Sequence, residues 1–242
     1  MNNSTSKAFF FDLDNTLFDY EASFKQASLF AFISILHPVL NKPINPEKWF
    51  KVYKTFCDLY WPAYEKKMLT REEYQRNRLV SSLLSFNIQL FDQRQMDAFR
   101  KRFEEEIPSF VQPYPWVEEM INFIKMHGYV AGIISNGESV LQRKKLSMLG
   151  LSFSESHTYI SSELSFAKPS IELFNYVKSK ICAEQFYYVG DSFSLDIHPA
   201  IKAGWTGIWW NPSKQIPELL HPNLYNCQSA DELNHVIKKC IE

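Results

Sequence analysis

The sequence predicts an α/β fold, a parallel sheet flanked on both faces by helices, with a helical bundle inserted after the first strand. Three observations predict it. From about Tyr129 onward, short β-rich runs alternate with helical patterns, the signature of crossover units and a parallel sheet. The strand runs "GIIS" and "YYVG" are apolar almost without a break, as strands covered on both faces are. Between about Phe18 and Val111 strand runs vanish and long charged helical patterns follow one another. The first strand therefore precedes the insertion and the remaining strands follow it. Residues 1–17 and 112–242 are expected to form one discontinuous core domain, and residues 18–111 a second, helical one.

Taken in order, "AFFF" from Ala8 reads as a buried strand that ends in two acids, Asp12 and Asp14. The apolar stretch "LFAFISILHPVL" from Leu29 reads as a buried helix, because it falls well short of the roughly 20 residues needed to cross a bilayer. Pro38, Pro43, Pro46 and Pro62 punctuate the first half of the insertion, and Thr70 followed by Glu73 forms a capping box. Met96, Phe99, Phe103, Ile107 and Phe110 recur at three or four residues, with Arg100, Lys101, Arg102, Glu104 and Glu105 on the other faces. About four helices fit this region. Beyond it, Val117, Met120, Ile121 and Ile124 share one helical face. There follow the strand "YVAGIIS", a polar helix to Leu149, the strand "HTYISS", a helix from Pro169, the strand "FYYVGD", another helix and the strand "TGIWW". Leu233, Val236, Ile237 and Cys240 form the apolar face of a last helix.

Composition narrows the function. With 242 residues and 45% hydrophobic content the chain can bury a large core. Its net charge of -1 comes from 26 basic and 27 acidic side chains mixed along the chain, which provides no broad positive field for nucleic acid or anionic lipid. A small-molecule partner is expected, with no nucleic-acid polymer and no membrane, and a monomer or small homo-oligomer. Four cysteines lie far apart with no Cys-x-x-Cys pair, which fits a reducing cytoplasm better than a disulfide framework or a zinc ribbon. The N-terminal apolar run is cut short by Asp12, too brief and too acidic for a secretory signal.

Ligands of open parallel sheets bind beyond the carboxyl ends of the strands. Asp12 and Asp14 lie at the first such end, where the period of two should project them to the same side. Two unpaired carboxylates there would repel each other, a conflict that a hard divalent cation removes. The next strand ends in Ser135-Asn136-Gly137, small hydrogen-bonding groups with a glycine that lets backbone approach a ligand. Lys168 precedes Pro169 at the mouth of a helix, and "GDSFSLD" supplies Asp191 and Asp196 at a further strand end. Each motif alone is an ordinary turn or cap. Acid pair, small hydroxyl, lysine and acid pair at successive strand ends of one sheet together make a site.

These motifs, "DLDNT" at Asp12 to Thr16, "SNG" at Ser135 to Gly137, "KP" at Lys168 and Pro169, and "GDSFSLD" at Gly190 to Asp196, resemble the haloacid dehalogenase superfamily of phosphohydrolases in kind and order. The resemblance implies a Rossmann-like core with the insertion as a helical cap. It also implies that Asp12 attacks phosphorus to form an aspartyl phosphate, and that Asp14 protonates the leaving oxygen and later deprotonates water. Ser135 and the backbone near Asn136 would bind phosphoryl oxygens, and Lys168 would neutralise phosphate and intermediate. Mg²⁺ would be held by Asp12, the Asp14 carbonyl and Asp191. Thr16 and Asp196 would support these groups, Asp196 by orienting either Lys168 or a water on the metal.

The superfamily also contains sugar-phosphate mutases and metal-independent haloacid dehalogenases, and a chain of this fold could bind without turnover. Asp14 and the Gly190-Asp191 pair argue for metal and phosphate. "DLDNTLFD", "GDSFSLDI" and "GIWWNP" look most like the branch that hydrolyses pyrimidine nucleoside monophosphates, with sugar-phosphate and phosphoglycolate phosphatases as alternatives. Phe24, Tyr53, Trp61 or Tyr64 of the insertion could then stack on a base.

Overall fold

The computed structural model describes residues 6–88 and 92–242. Residues 1–5 of the expected core and 89–91 of the expected insertion lie outside the described residues. The chain divides into two compact units, Met1–Tyr20 with Val111–Glu242, and Glu21–Phe110. The first seam falls three residues later than the sequence suggests. Phe18 bridges to Pro113, and Tyr114 N donates to Leu17 O at 2.9 Å, so the chain beyond the first strand stays stitched to the core unit.

Among the described residues of the core unit, six strands form one sheet: β1 (Lys7–Phe11), β2 (Val130–Ser135), β3 (Thr158–Ile160), β4 (Gln185–Gly190), β5 (Thr206–Trp210) and β6 (Leu224–Cys227). Their spatial order is β3-β2-β1-β4-β5-β6, and every pairing is parallel. The chain winds outward from β1 through β2 to β3, returns to β4 on the other side of β1, and winds outward again. That reversal beside β1 is the topological switch point at which such sheets bind ligands. The strand β6 escapes the sequence reading because "LYNC" lies at the sheet edge and is only partly buried, so it carries no continuous apolar run.

The inserted unit contains α1 (Tyr20–Ala31, of which Tyr20 belongs to the core unit), α2 (Pro46–Glu65), α3 (Arg71–Leu84) and α4 (Gln93–Glu106). Each of the last three begins at a side-chain cap. Asn45 accepts from Lys48 N at 3.0 Å and Asp92 from Gln95 N at 2.9 Å, and the Thr70–Glu73 box forms in both directions at 3.2 and 2.8 Å. Such caps are each worth about 1 kcal/mol.

The stretch from Leu29 departs from the expected buried helix. The α-helix ends at Ala31, and the chain continues as a π turn over Phe32–Leu36 and a 3₁₀ turn over His37–Val39, leaving Phe30, Ile33 and Val39 exposed. Pro38 has no N–H to donate and crowds the carbonyl four residues back, which ends α-helical bonding here. The core of this unit is aromatic: Trp49 stacks on Phe32 at 4.1 Å and on Tyr53 at 4.8 Å, and Phe24 meets Phe103 at 5.4 Å. Phe24 and Tyr53 are thus packing residues of their own unit, and Tyr64 stacks on Tyr74 at 4.9 Å. Of the four aromatics considered for base stacking, Trp61 alone is exposed.

The remaining helices, α5 (Val117–Met126), α6 (Ser139–Met148), α7 (Ile171–Lys180), α8 (His198–Lys202) and α9 (Ala230–Ile241), belong to the core unit. Alternation along β1 sends Phe9 and Phe11 into a cluster with Val117, Met120, Ile121 and Ile124 of α5 and with Leu233, Ile237 and Cys240 of α9. Ala8 and Phe10 point the other way, into a cluster with Leu173, Phe174 and Val177 of α7 and with Trp205. Burying each of these phenylalanines stabilises the fold by about 1.5–3 kcal/mol. This is why "AFFF" forms the central strand and holds its carboxyl end rigidly. No helix among the described residues is long and apolar enough to cross a membrane.

Candidate active site

Asp12 is the first residue beyond β1. Its N–H donates to Val189 O at 2.9 Å, which continues the β1–β4 ladder and fixes the backbone from which its carboxylate projects. Asp191 stands one residue beyond β4, its carbonyl held by Trp209 Nε1 at 2.8 Å. Asp196 lies on a one-turn π helix, Phe193–Ile197, that Ser192 caps by accepting from Leu195 N. One carboxylate oxygen from each of Asp12, Asp191 and Asp196 falls within 4.8 Å of the others. Thr16 Oγ1 lies 3.4 Å from Asp12 Oδ2 and 3.5 Å from Asp191 Oδ1, a long contact to both acids.

Lys168 supplies the positive charge. Its Nζ donates to Asp12 Oδ1 at 2.5 Å, Asp196 Oδ1 at 2.6 Å and the Tyr188 hydroxyl at 3.1 Å. Tyr188 in turn donates to Ile134 O at 2.7 Å. All three ammonium protons are therefore used, and the side chain is buried. Pro169 does not open α7 as expected. Ser170, in an extended conformation, takes the N-cap position and Ile171 begins the helix, so Lys168 is placed by a loop.

What fixes that loop is Asn136. Its Nδ2 donates to Lys168 O and its Oδ1 accepts from Lys168 N, both at 2.9 Å. The Asn136 side chain thus spends both of its polar atoms on the backbone of the lysine. Gly137 follows at φ 140°, a conformation that favours glycine, and a Cβ there would stand 3.1 Å from the Gln142 side chain. The N–H groups of Gly137 and Ser139 are held by the hydroxyls of Ser161 and Ser162 at 3.1 and 2.8 Å.

Asp14 lies near enough to Asp12 for its charge to raise the Asp12 carboxyl. Its carboxylate lies outside the acidic cluster and is held by α6, with Lys145 Nζ at 2.8 and 3.0 Å from its two oxygens and Gln142 Nε2 at 3.1 Å. Gln142 and Lys145 are buried, although α6 reads from the sequence as a polar helix with no apolar stripe to mark an inward face.

Electrostatics make the cluster receptive to a cation. Burial pushes the Asp12 carboxyl up to about 7, against the lowering effect of Lys168, and the charge of Asp196 raises it further. Burial likewise lifts Asp191 to about 8, aided by the charges of Asp12 and Asp196. Burial by itself would lower the Lys168 ammonium, yet the charges of Asp12 and Asp196 raise it well above its ordinary value. Three ionised carboxylates against one lysine would leave excess negative charge in a desolvated site, which is why two of the acids hold on to protons and what an oxygen-preferring divalent ion such as Mg²⁺ would relieve in their place. Asp196 already has both oxygens engaged, Oδ1 by Lys168 and Oδ2 by Ser192 N at 3.0 Å. Asp12 and Asp191 are the carboxylates left to face a metal.

An acid at the end of the central strand, a buried lysine against it and a hydroxyl-bearing loop beside it come together at the switch point of a doubly wound core. A family model for haloacid dehalogenase-like hydrolases matches residues 6–204, and the chain belongs to that family. Among relatives, it is 28% identical over 232 residues to the Bacillus subtilis protein YfnB, covering 94% of this chain and 93% of that one. The crystal structure of the orthorhombic form of YfnB, bound to magnesium, matches with a TM-score of 0.77 and 26% identity over 97% of this chain and 99% of that one. The pyrimidine 5'-nucleotidase YjjG of Escherichia coli is 25% identical over 234 residues, 95% of this chain and 97% of its own. A glyceraldehyde 3-phosphate phosphatase of Methanothermobacter thermautotrophicus is 26% identical over 212 residues, 85% of each chain.

Proposed function

We propose that the chain is a Mg²⁺-dependent phosphomonoesterase that hydrolyses a small phosphorylated metabolite through an aspartyl phosphate on Asp12, with a nucleoside 5'-monophosphate as the favoured substrate. The observation that carries this reading is the contact of Lys168 with Asp12 at 2.5 Å inside a buried cluster of acids. An oxygen of Asp12 attacks phosphorus, and the bond from phosphorus to the ester oxygen breaks. That oxygen leaves with the electron pair and takes the proton of Asp14. Water then attacks phosphorus and passes a proton to Asp14, and the bond to Asp12 breaks to restore the carboxylate and release phosphate. Lys168 stands where charge on the phosphoryl oxygens and the intermediate is neutralised, kept there by Asp196, Tyr188 and Asn136. Ser135, with backbone N–H groups of its loop, binds phosphoryl oxygens. Asp12, Asp191 and the Asp14 carbonyl would hold Mg²⁺, which would supply the charge that lets a carboxylate approach a phosphate.

The nucleotide preference is supported by the full-length likeness to YjjG and by the motif text around Asp12 and Asp191. A sugar-phosphate phosphatase is the second reading, supported by the glyceraldehyde 3-phosphate phosphatase relative. One screen separates them: phosphate release from nucleotides, sugar phosphates and phosphoglycolate, with Mg²⁺ or with chelator, by wild type and by Asp12→Asn. Metal-dependent release that disappears in Asp12→Asn is expected, with nucleoside 5'-monophosphates turned over best. Normal release by Asp12→Asn would mean that the nucleophile is another group. Halide release from a 2-haloacid without metal would replace the reading with dehalogenation.

A further inference from the structure

Gln142 and Lys145 have no part in the reaction set out above, yet both are buried, three residues apart on the inward side of α6. The Lys145 side chain is 3% exposed. Its ammonium lies 4.6 Å from the Tyr20 ring centroid and 5.9 Å from that of Phe18, beside its two contacts with Asp14. The Gln142 amide nitrogen reaches Ser135 Oγ at 2.7 Å and Asn136 O and Asp14 Oδ2 at 3.1 Å each.

We propose that Lys145 and Gln142 are positioning residues that orient the Asp14 carboxyl for proton transfer to the leaving oxygen and from water. The inference rests on the phosphomonoesterase reading. The last torsion of an aspartate is broad and roughly two-fold, so a carboxyl without partners samples many orientations. Here one ammonium grips both oxygens and an amide grips one of them, which sets the plane of the group. Rings of Tyr20 and Phe18 beside the ammonium limit its contact with water and strengthen its hold. Gln142 also ties Asp14 to the Ser135 hydroxyl. The group that moves the proton and the group assigned to the phosphoryl oxygens are thereby fixed relative to each other. Gly137 leaves room for the glutamine side chain that makes this link. Neither Lys145 nor Gln142 gives up a proton in either half of the reaction.

The test uses the full chain with Mg²⁺ and a series of phosphate monoesters, from p-nitrophenyl phosphate, whose leaving group departs as the anion, to alkyl phosphates, whose leaving group needs a proton. Lys145→Met should lower kcat on the alkyl esters about 100-fold. Its loss on p-nitrophenyl phosphate should be several-fold smaller, with KM within about twofold of wild type in both cases. Lys145→Arg should recover most of the activity, since a guanidinium also offers N–H groups to both oxygens. An equal loss across the series, a loss that appears in KM, or wild-type kcat on alkyl esters in Lys145→Met would overturn the assignment. If circular dichroism shows Lys145→Met misfolded, Gln142→Leu, which keeps the ion pair, takes its place. It should give a smaller loss with the same leaving-group dependence, and an equal loss across the series overturns the proposal there too. Failure of the wild-type chain to release phosphate from any ester would overturn the phosphomonoesterase reading itself, a result distinct from each of these.

Discussion

Gly190→Ala places one methyl group where the structure has no room for it. An ideal Cβ at this position stands 2.6 Å from Cβ and Cγ of Asp196 and 2.7 Å from its Oδ2. Carbon atoms in contact sit about 3.5–4.0 Å apart, so the two groups must separate by about 1 Å. Rotation of the Asp196 side chain does not solve this, because its own Cβ is among the clashing atoms. The turn Phe193–Ile197 must therefore retreat from β4, although Phe193 and Ile197 are anchored against Ile201 and Trp209. Overpacking of this kind costs about 1–3 kcal/mol of stability. A retreat of about 1 Å also stretches the 2.6 Å bond from Lys168 to Asp196 beyond hydrogen-bond range. A charge-assisted bond of this type is worth about 1.5–3 kcal/mol. If that loss falls on the transition state, kcat drops roughly 10- to 150-fold. Thermal melting and steady-state phosphate release of Gly190→Ala with saturating Mg²⁺ measure the two effects. A variant that melts with wild type and keeps its kcat would refute the claim that Asp196 closes on β4 to hold the lysine.

Asn136→Ala removes both hydrogen bonds to the Lys168 backbone and should lower stability by about 1–3 kcal/mol and kcat by at least tenfold; thermal melting and phosphate release check it, and Asn136→Asp, which cannot donate to Lys168 O when ionised, should restore little. Stability and metal binding should also be linked through pH. With folded values of about 7 and 8 against an ordinary 3.8, Asp12 and Asp191 hold protons that the unfolded chain has lost. In chelator their contribution is full below about pH 4 and is lost as pH rises through about 8, at about 1.4 kcal/mol per pH unit for each extra proton held. Mg²⁺ competes with those protons, so its stabilisation in thermal melts should be larger at pH 8.5 than at pH 5.5, and an equal shift at both would count against Asp12 and Asp191 as its ligands.

What the sequence revealed of this site follows from what strands encode. A buried strand announces itself as a short apolar run, and the residue where apolarity stops marks the rim of the sheet. Asp12, Ser135 and Asp191 could be placed at one edge on that ground alone. For Asp196 the sequence left two partners open, and its 2.6 Å contact is with Lys168. Gln142 and Lys145 were hidden because a helix signals its buried face by an apolar stripe, and α6 turns polar groups inward. They are buried because they meet Asp14, 128 and 131 residues earlier, a pairing that no local pattern contains. The use of the Asn136 side chain was not legible, since its partner, the Lys168 backbone, lies 32 residues on. Tyr188 lies in a run that reads as a strand covered on both faces, and its hydroxyl also meets Lys168. In the inserted unit the caps at Asn45, Thr70 and Asp92 depend on neighbours a few residues away, and the Thr70 box was accordingly legible, whereas the π turn after Ala31 was not.

The central claim is that Asp12 carries the phosphoryl group during turnover. Wild-type chain mixed with Mg²⁺ and an excess of a nucleoside 5'-monophosphate, quenched in acid during the steady state and digested, should yield a peptide with a phosphoryl group on Asp12, and Asp12→Asn should yield none. Continued turnover with no phosphoryl group on Asp12, or with one on another residue, would contradict the account.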